Sequence, residues 1–247
     1  MEAFALVERF SDPWNRLRRT GYDSFPVAAR KPELMRRPKP AHAGTVEKPR
    51  ASVRPRRMDP AERRSELMRV ALEVFARDGL GFARHAEIAK EAGVALATVF
   101  HYFPTRNVLV ADVLEEVDRF FIKDVMETAM AREQSAPEAI LALLMGFADS
   151  IDRFPSHAQI WLEWSSSVRD EIWKSYLSFY ERATSYIAQI VEHGIGAETI
   201  SATLDPMDVA RIVVGLAHPI AHMKFSGRSR ETIEHTMVSL VGQYLKP

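Results

Sequence analysis

Apolar residues recur at intervals of three and four along the chain from residue 59 onwards. The first such segment opens with Asp59, Pro60 and Glu62, which fit an N-cap, a first-turn proline and a capping-box partner. One helical face behind this start carries Leu67, Val70, Ala71, Val74 and Phe75. Gly79 and Gly81 end the segment, so the pattern predicts an amphipathic helix that buries one side in a core.

The same helical period continues through the rest of the chain. It occurs in a long segment from Leu109 to Phe121 and in further segments around residues 140–147, 160–164, 172–190, 207–223 and 232–245. A sustained two-residue alternation bounded by hairpin turns, which would indicate strands, does not occur in the sequence. We therefore predict an all-α fold.

The segment 85–106, HAEIAKEAGVALATVFHYFPTR, has the pattern of a helix-turn-helix. Such a unit needs small residues where its helices cross, a glycine in the turn and apolar residues that face the shared core. The residues that meet these needs are Ile88, Ala89, Ala92, Gly93, Val94, Val99 and Tyr102. The sequence therefore predicts a DNA-binding module whose second helix enters the major groove.

Two groups of residues in this module are candidates for DNA contact. Base edges are expected to meet the exposed early residues of the second helix, which are Ala95, Leu96, Ala97, Thr98, Phe100 and His101. His101 is the main hydrogen-bonding candidate among them, whereas Phe100 and Tyr102 also fit core packing. Thr105 is expected to cap the next helix beside Arg106. A helix N-terminus with an adjacent arginine suits phosphate, so Thr105, Arg106 and the hydroxyl group of Tyr102 are predicted to hold the DNA backbone.

The overall charge balance, 33 Lys and Arg against 33 Asp and Glu, hides an asymmetry along the chain. Residues 1–57 carry 14 basic residues, six acidic residues and seven prolines, whereas residues 107–247 carry 12 basic and 20 acidic residues. The first segment is predicted to be largely disordered, either as a solvated tail or as an arm that binds a polyanion. We predict three parts: a basic extension at 1–57, a helix-turn-helix domain at 58–106, and an acidic helical domain at 107–247 that should avoid DNA.

Composition and missing motifs exclude several classes of protein. The absence of cysteine excludes disulfides, iron–sulfur clusters, cysteine-ligated zinc and a thiol nucleophile. The longest uncharged run in the helical part, Ile212–Met223, has 12 residues and is shorter than the roughly 20 that a membrane span needs. His218 and His222 have a metal-compatible spacing, but Pro219 interrupts their helix and no third ligand is evident. The sequence also lacks nucleotide-binding and nucleophile-elbow motifs, so we predict no enzyme activity, no cofactor, no metal and no membrane association.

The run ALEVFARDGLGFARHAEIAKEAGVALATVFHYFPTRNVLVADVL resembles the DNA-binding domain of the TetR family of transcriptional regulators. The pieces ATVFHYFPTR and WLEWSSSVRDEIW are similar to one branch, the TetR-type LuxR/HapR regulators that control quorum-sensing regulons. The resemblance covers about residues 55–191. It implies a cytoplasmic homodimer that binds double-stranded DNA, that carries a C-terminal domain for dimerisation and for a small apolar effector, and that activates as well as represses.

Two departures from the branch affect the expected DNA contacts. His101 stands where the branch usually has Asn, so the base that it reads is expected to differ. The branch also has a short basic arm before the first helix, and Arg54, Arg56 and Arg57 lie there with their register displaced by Pro55. Arms of this type insert into an A·T-rich minor groove, where the negative potential is concentrated.

The C-terminal part offers two further candidate sites. The last helices carry apolar faces that fit either the core of the chain or a dimer bundle, and we predict a dimer interface of Val209, Ile212, Val213, Leu216, Ile220, Ile233, Met237, Leu240, Val241 and Tyr244. An aromatic cluster fits either core packing or an apolar ligand pocket, whose predicted lining is Phe120, Phe147, Trp161, Trp164, Tyr176 and Tyr180.

These observations together predict a dimeric TetR-type regulator of the LuxR/HapR kind that binds a palindromic or pseudo-palindromic operator. A ligand-released local repressor of an efflux or catabolic operon is the alternative within the same fold. A helical carrier protein with a vestigial helix-turn-helix is the alternative from a different class.

Overall fold

A computed structural model describes residues 59–128, 135–168 and 171–246, and within these ranges the chain is all-helical, as the sequence predicts. A π-helical segment, Phe120–Glu127, directly continues the fourth helix. The α-helices of the described ranges are α1 (Pro60–Asp78), α2 (His85–Glu91), α3 (Leu96–Tyr102), α4 (Arg106–Arg119), α5 (Ala136–Arg153), α6 (Pro155–Ser166), α7 (Ile172–Gly196), α8 (Pro206–Gly215), α9 (Ala217–Phe225) and α10 (Arg230–Tyr244).

Helix α1 begins and ends where its sequence pattern predicts. The backbone N–H of Asp59 donates to Oε2 of Glu62 at 3.3 Å and completes a capping box, with Pro60 in the first turn. The apolar stripe is buried, and the helix ends at Gly79, whose φ of +86° favours glycine. The prediction of this helix and of its buried face is therefore confirmed.

The N-terminal helices rest on a larger helical body within one compact unit. Helix α1 packs along α6, and α4 also contacts α6. In the body, α8 packs along α7, whereas α9 and α10 pack against α5. The side chains of Trp161 and Trp164 on α6 are almost completely buried, so α6 lies between the helix-turn-helix side and the rest of the body.

One close approach between helices in the body requires a glycine. A Cβ atom at Gly194 of α7 would lie 2.5 Å from Cβ of Ala136 and 2.8 Å from Cδ1 of Ile200. Both distances are shorter than carbon atoms tolerate, so the start of α5 reaches α7 at this depth because residue 194 has no side chain.

The segment over 207–223 is helical, as its period predicts, but it forms two helices separated at Leu216, close to Pro219, where the sequence indicated an interruption. Pro219 has no N–H group to donate to the carbonyl of Gly215, so the helical hydrogen-bond ladder is interrupted there. The N–H of Leu216 instead is shared between the carbonyls of Ile212 and Val213.

Across residues 59–128, 135–168 and 171–246, no helix is both long enough and apolar enough to cross a membrane. The same ranges contain no group of three or more histidine, aspartate or glutamate side chains arranged to hold a metal ion. His218, a metal candidate by its spacing, has Nε2 at 3.0 Å from the hydroxyl group of Ser165 and lies against the Trp161 ring at a centroid distance of 4.5 Å.

Candidate nucleic-acid interface

Helices α2 and α3 form the helix-turn-helix that the sequence pattern predicts. Ile88 and Val99 are fully buried between the helices and α1. The turn contains Gly93 at φ +64°, and the N–H of Val94 donates to the carbonyl of Ala89 at 3.0 Å. These contacts join α2 and α3 across a tight glycine-containing turn, which is the arrangement of a helix-turn-helix.

The predicted base-contacting residues lie on the outer surface of α3 and its N-cap. Leu96 and Phe100 are each 43% exposed, Ala97 is exposed and Thr98 is half-buried, whereas Val99 faces the core. His101 is exposed near the end of the helix, with its ring 5.0 Å from the ring of Tyr102 in an edge-on arrangement. This surface offers mainly apolar contacts and one imidazole, a combination that suits thymine methyl groups and a single hydrogen-bonding base.

Phe100 has a defined neighbour that the sequence analysis missed. Its ring stacks on the ring of His85 with a centroid distance of 4.4 Å and an interplanar angle of 13°. Nε2 of His85, which is buried, lies 2.8 Å from the carbonyl oxygen of Phe103, so it donates a hydrogen bond to that group. His85 thus ties the start of α2 to both the middle and the end of α3. The sequence signal that could have indicated this contact is the histidine at the first position of α2.

The predicted phosphate-contacting residues occupy the start of α4. The hydroxyl group of Thr105 accepts the N–H of Val108 at 3.2 Å, which confirms the predicted helix cap. The guanidinium group of Arg106 is exposed in part and donates a hydrogen bond to the carbonyl of Leu80. Arg106 therefore already has a structural role in the free protein, and a contact to a DNA phosphate would be a second role. Tyr102 is half-buried against the core, a position that fits both core packing by its ring and a phosphate contact by its hydroxyl group.

Arg84 is a second basic candidate near this surface that the sequence analysis did not name. It is the N-cap residue of α2 and is exposed. In helix-turn-helix complexes the first helix crosses the DNA backbone, so a cation at its start suits phosphate. The predicted arm residues Arg54, Arg56 and Arg57 lie outside the described residues.

The six aromatic residues that were predicted to line a ligand pocket do not share one cavity. Phe147 and Trp161 line an apolar cavity of about 50 Å³ in the body, together with Phe121 and Met126 of the π-helical segment. A cavity of this size holds about one or two water molecules, so an organic effector would need side chains to move.

The other four aromatic residues pack elsewhere. The rings of Trp164 and Tyr176 meet at 5.6 Å, and the ring of Tyr180 lies 6.2 Å from that of Tyr176. Burial raises the pKa of Tyr176 to about 12. Phe120 instead contacts Phe154 and His157 at the other end of α6. Trp164 also borders a cleft of about 730 Å³ between α4 and the α6–α7 region.

The ten residues that were predicted for a dimer interface fall into two groups. The core of this chain already buries six of them: Val209, Val213, Ile220, Ile233, Met237 and Val241. Ile212, Leu240 and Tyr244 are 45%, 46% and 41% exposed, and Leu216 is half-buried. Only these four can present apolar surface to a second copy, because the buried six are covered by neighbouring helices of the same chain. Val238, 46% exposed on α10, is a further apolar candidate.

Known proteins share both the sequence pattern and the fold of this chain. The profile of the bacterial regulatory proteins of the TetR family matches residues 67–113, from the middle of α1 into α4. The HTH-type transcriptional regulator LuxR of Vibrio harveyi is 33% identical over 193 residues, which are 78% of this chain and 92% of that protein.

Two solved structures are similar over most of their length. A transcriptional regulator from Saccharomonospora viridis in complex with choline gives a TM-score of 0.66 at 19% identity, covering 75% of this chain and 98% of that one. The regulator FadR from Bacillus subtilis in complex with stearoyl-CoA gives a TM-score of 0.62 at 19% identity, covering 72% of this chain and 96% of that one. At this level of identity the structures show a shared fold.

Proposed function

Because this chain belongs to the TetR family and is a DNA-binding transcriptional regulator, we propose that it is a LuxR-like global regulator of the quorum-sensing type. It acts in the cytoplasm as a homodimer on a palindromic or pseudo-palindromic operator. The observation that carries this proposal is the similarity to LuxR over 92% of that protein, which extends well beyond the helix-turn-helix.

Recognition of the DNA sequence is assigned to the outer surface of α3. The residues of this surface are Ala95, Leu96, Ala97, Thr98, Phe100 and His101, with Tyr102, Thr105 and Arg106 at the DNA backbone. Residues 58–106 serve as the DNA-binding domain, and the basic segment that includes Arg54, Arg56 and Arg57 serves as a minor-groove arm.

Dimerisation is assigned to the exposed apolar surface of α8 and α10. The exposed leucine, isoleucine and tyrosine side chains of these two helices favour burial against a second copy of the chain. A two-fold dimer presents two recognition helices in the arrangement that a palindromic operator requires. Residues 107–247 accordingly serve as the dimerisation and effector domain.

A ligand-released local repressor is the second candidate function. The observations that favour it are the apolar cavity beside Trp161 and the solved neighbours of the same fold, whose complexes contain choline and stearoyl-CoA. A small apolar effector would enter this cavity by displacing side chains of the π-helical segment. Segments of this kind are frequent at functional sites.

Genome-wide mapping of binding sites separates the two candidates. A global regulator should occupy many operators, whereas a local repressor should occupy few, mostly beside its own gene. A gel-shift assay of the purified protein with genomic fragments comes first, since failure to shift any fragment would contradict both candidates and favour a carrier with a vestigial helix-turn-helix.

A further inference from the structure

The peptide unit of Leu80 is held by side chains from two other parts of the chain. Its N–H lies 2.9 Å from both Oε1 and Oε2 of Glu163 on α6 and donates to that carboxylate. Its carbonyl accepts a hydrogen bond from the guanidinium group of Arg106 at the start of α4. Leu80, Arg106 and Glu163, here called the Leu80 clamp, thus join the turn after α1 to both α4 and α6.

The local structure of this turn is shaped to receive the carboxylate. Gly79 has a φ of +86°, and a Cβ atom there would lie 3.4 Å from both carboxylate oxygens of Glu163. A carboxylate beside the C-terminal end of a helix is disfavoured by the helix dipole. The position of Glu163 is therefore explained by its charge-assisted hydrogen bonds to the turn and not by the electrostatics of α1.

The clamp lies directly before the helix-turn-helix. Leu80 is five residues from the first residue of α2, so the direction in which α2 and α3 leave α1 depends on the turn that Glu163 holds. Glu163 itself belongs to the body, whose α8 and α10 carry the exposed apolar surface. A change at Glu163 would therefore act on the orientation of the recognition helix relative to that surface without altering a residue of either one.

We propose that Glu163 is a positioning residue for DNA binding, which holds the helix-turn-helix at a set orientation to the dimerising body. The inference rests on the proposed function as a dimer on two half-sites. Half-sites are read about one helical turn of DNA apart, roughly 34 Å, so the orientation of each helix-turn-helix determines which half-site spacing fits. Glu163 therefore contributes to spacing selectivity, although it contacts no DNA.

The test compares half-site spacings instead of overall affinity alone. The full-length wild-type protein first selects operators from a random library. Wild type, Glu163→Ala, Glu163→Gln and the control Glu192→Gln, which alters an exposed carboxylate on α7, are then titrated with that operator and with versions one base pair longer and shorter. Urea unfolding of each variant provides the fraction folded under the binding conditions.

Glu163→Ala is expected to lower affinity for the selected spacing about tenfold and to reduce the preference over the altered spacings at least about threefold. Glu163→Gln keeps one oxygen that can accept the N–H of Leu80 and should fall between Ala and wild type, with Glu192→Gln unchanged. Equal losses at all three spacings, or no loss, would overturn the inference, because a purely structural role lowers only the folded fraction. A wild-type protein that selects no paired half-sites would instead contradict the proposed function.

Discussion

Replacing His85 should weaken the helix-turn-helix by removing two contacts at once. The buried imidazole donates from Nε2 to the carbonyl of Phe103 at 2.8 Å and stacks on the ring of Phe100 at 4.4 Å. Phe103 is fully buried, so a carbonyl that loses its donor there gains little from water. The two contacts are separable by choice of substitution.

The expected magnitudes follow from these two contacts. An unsatisfied buried acceptor costs about 1–3 kcal/mol, and an aromatic pair contributes about 0.5–1.5 kcal/mol beyond its buried area. His85→Ala loses both and should lower the free energy of unfolding by about 2–4 kcal/mol. His85→Phe keeps the stacking and should lose about 1–3 kcal/mol, whereas His85→Gln keeps an N–H donor and loses mainly the stacking.

Urea unfolding followed by circular dichroism measures these differences, with His193→Ala, an exposed histidine on α7, as the control. Operator binding is then measured where every variant is folded. Phe100 loses its stacking partner in His85→Ala and His85→Gln, so affinity should fall more in these two than in His85→Phe. If His85→Ala costs less than about 0.5 kcal/mol, the hydrogen bond and the stacking do not support the helix-turn-helix as argued.

Four further predictions concern other parts of the molecule. Ile212→Glu combined with Leu240→Glu should give folded monomers in sedimentation experiments, because both side chains are exposed in the single chain and a buried pair of charges would disfavour the dimer. Arg106→Ala should weaken binding to all DNA sequences about equally and should lower by about one the slope of the logarithm of the binding constant against the logarithm of salt concentration. An unchanged slope would mean that Arg106 acts only through its hydrogen bond to the carbonyl of Leu80. Burial lowers the pKa of His157 below its ordinary value of 6.5, so the unfolded chain binds more protons than the folded chain at acidic pH. The free energy of unfolding should therefore decrease as pH falls below about 6.5. His157→Phe should reduce this loss of stability between about pH 7.5 and about pH 5.5. Gly194→Ala should lower the free energy of unfolding by about 1–3 kcal/mol, because the added Cβ lies 2.5 Å from Ala136.

Matched variants make these outcomes interpretable. Leu177→Glu introduces the same charge at an exposed leucine of α7 and should leave the dimer intact. His193→Gln, which removes an exposed histidine of α7, is the matched control for His157→Phe. A dimeric Ile212→Glu/Leu240→Glu double variant, or a His157→Phe variant with the parent's loss of stability in acid, would contradict the corresponding argument. Gly194→Ala without loss of stability would show that α5 and α7 separate at little cost.

Local sequence signals determined the fold class and the helix-turn-helix. Asp59, Glu62 and Gly79 act on backbone groups within a few residues, so the bounds of α1 can be read from the sequence. The pairing of Ile88 with Val99 across a glycine turn is also short-range, which explains why the pattern of 85–106 was sufficient to predict α2 and α3. The cap of α4 by Thr105 is local in the same way.

Only the tertiary structure decided what covers each apolar face. Helical periodicity indicates that Val209 and Ile212 belong to apolar segments, but it cannot show that the chain itself buries the first and exposes the second. The aromatic cluster divides for the same reason, since Trp161 lines the small cavity whereas Tyr176 packs against other rings. The contact between Glu163 and Leu80 spans 83 residues of sequence, and no local pattern specifies it. Periodicity and capping are properties of one helix at a time, whereas burial and long-range hydrogen bonds depend on how the helices are packed together.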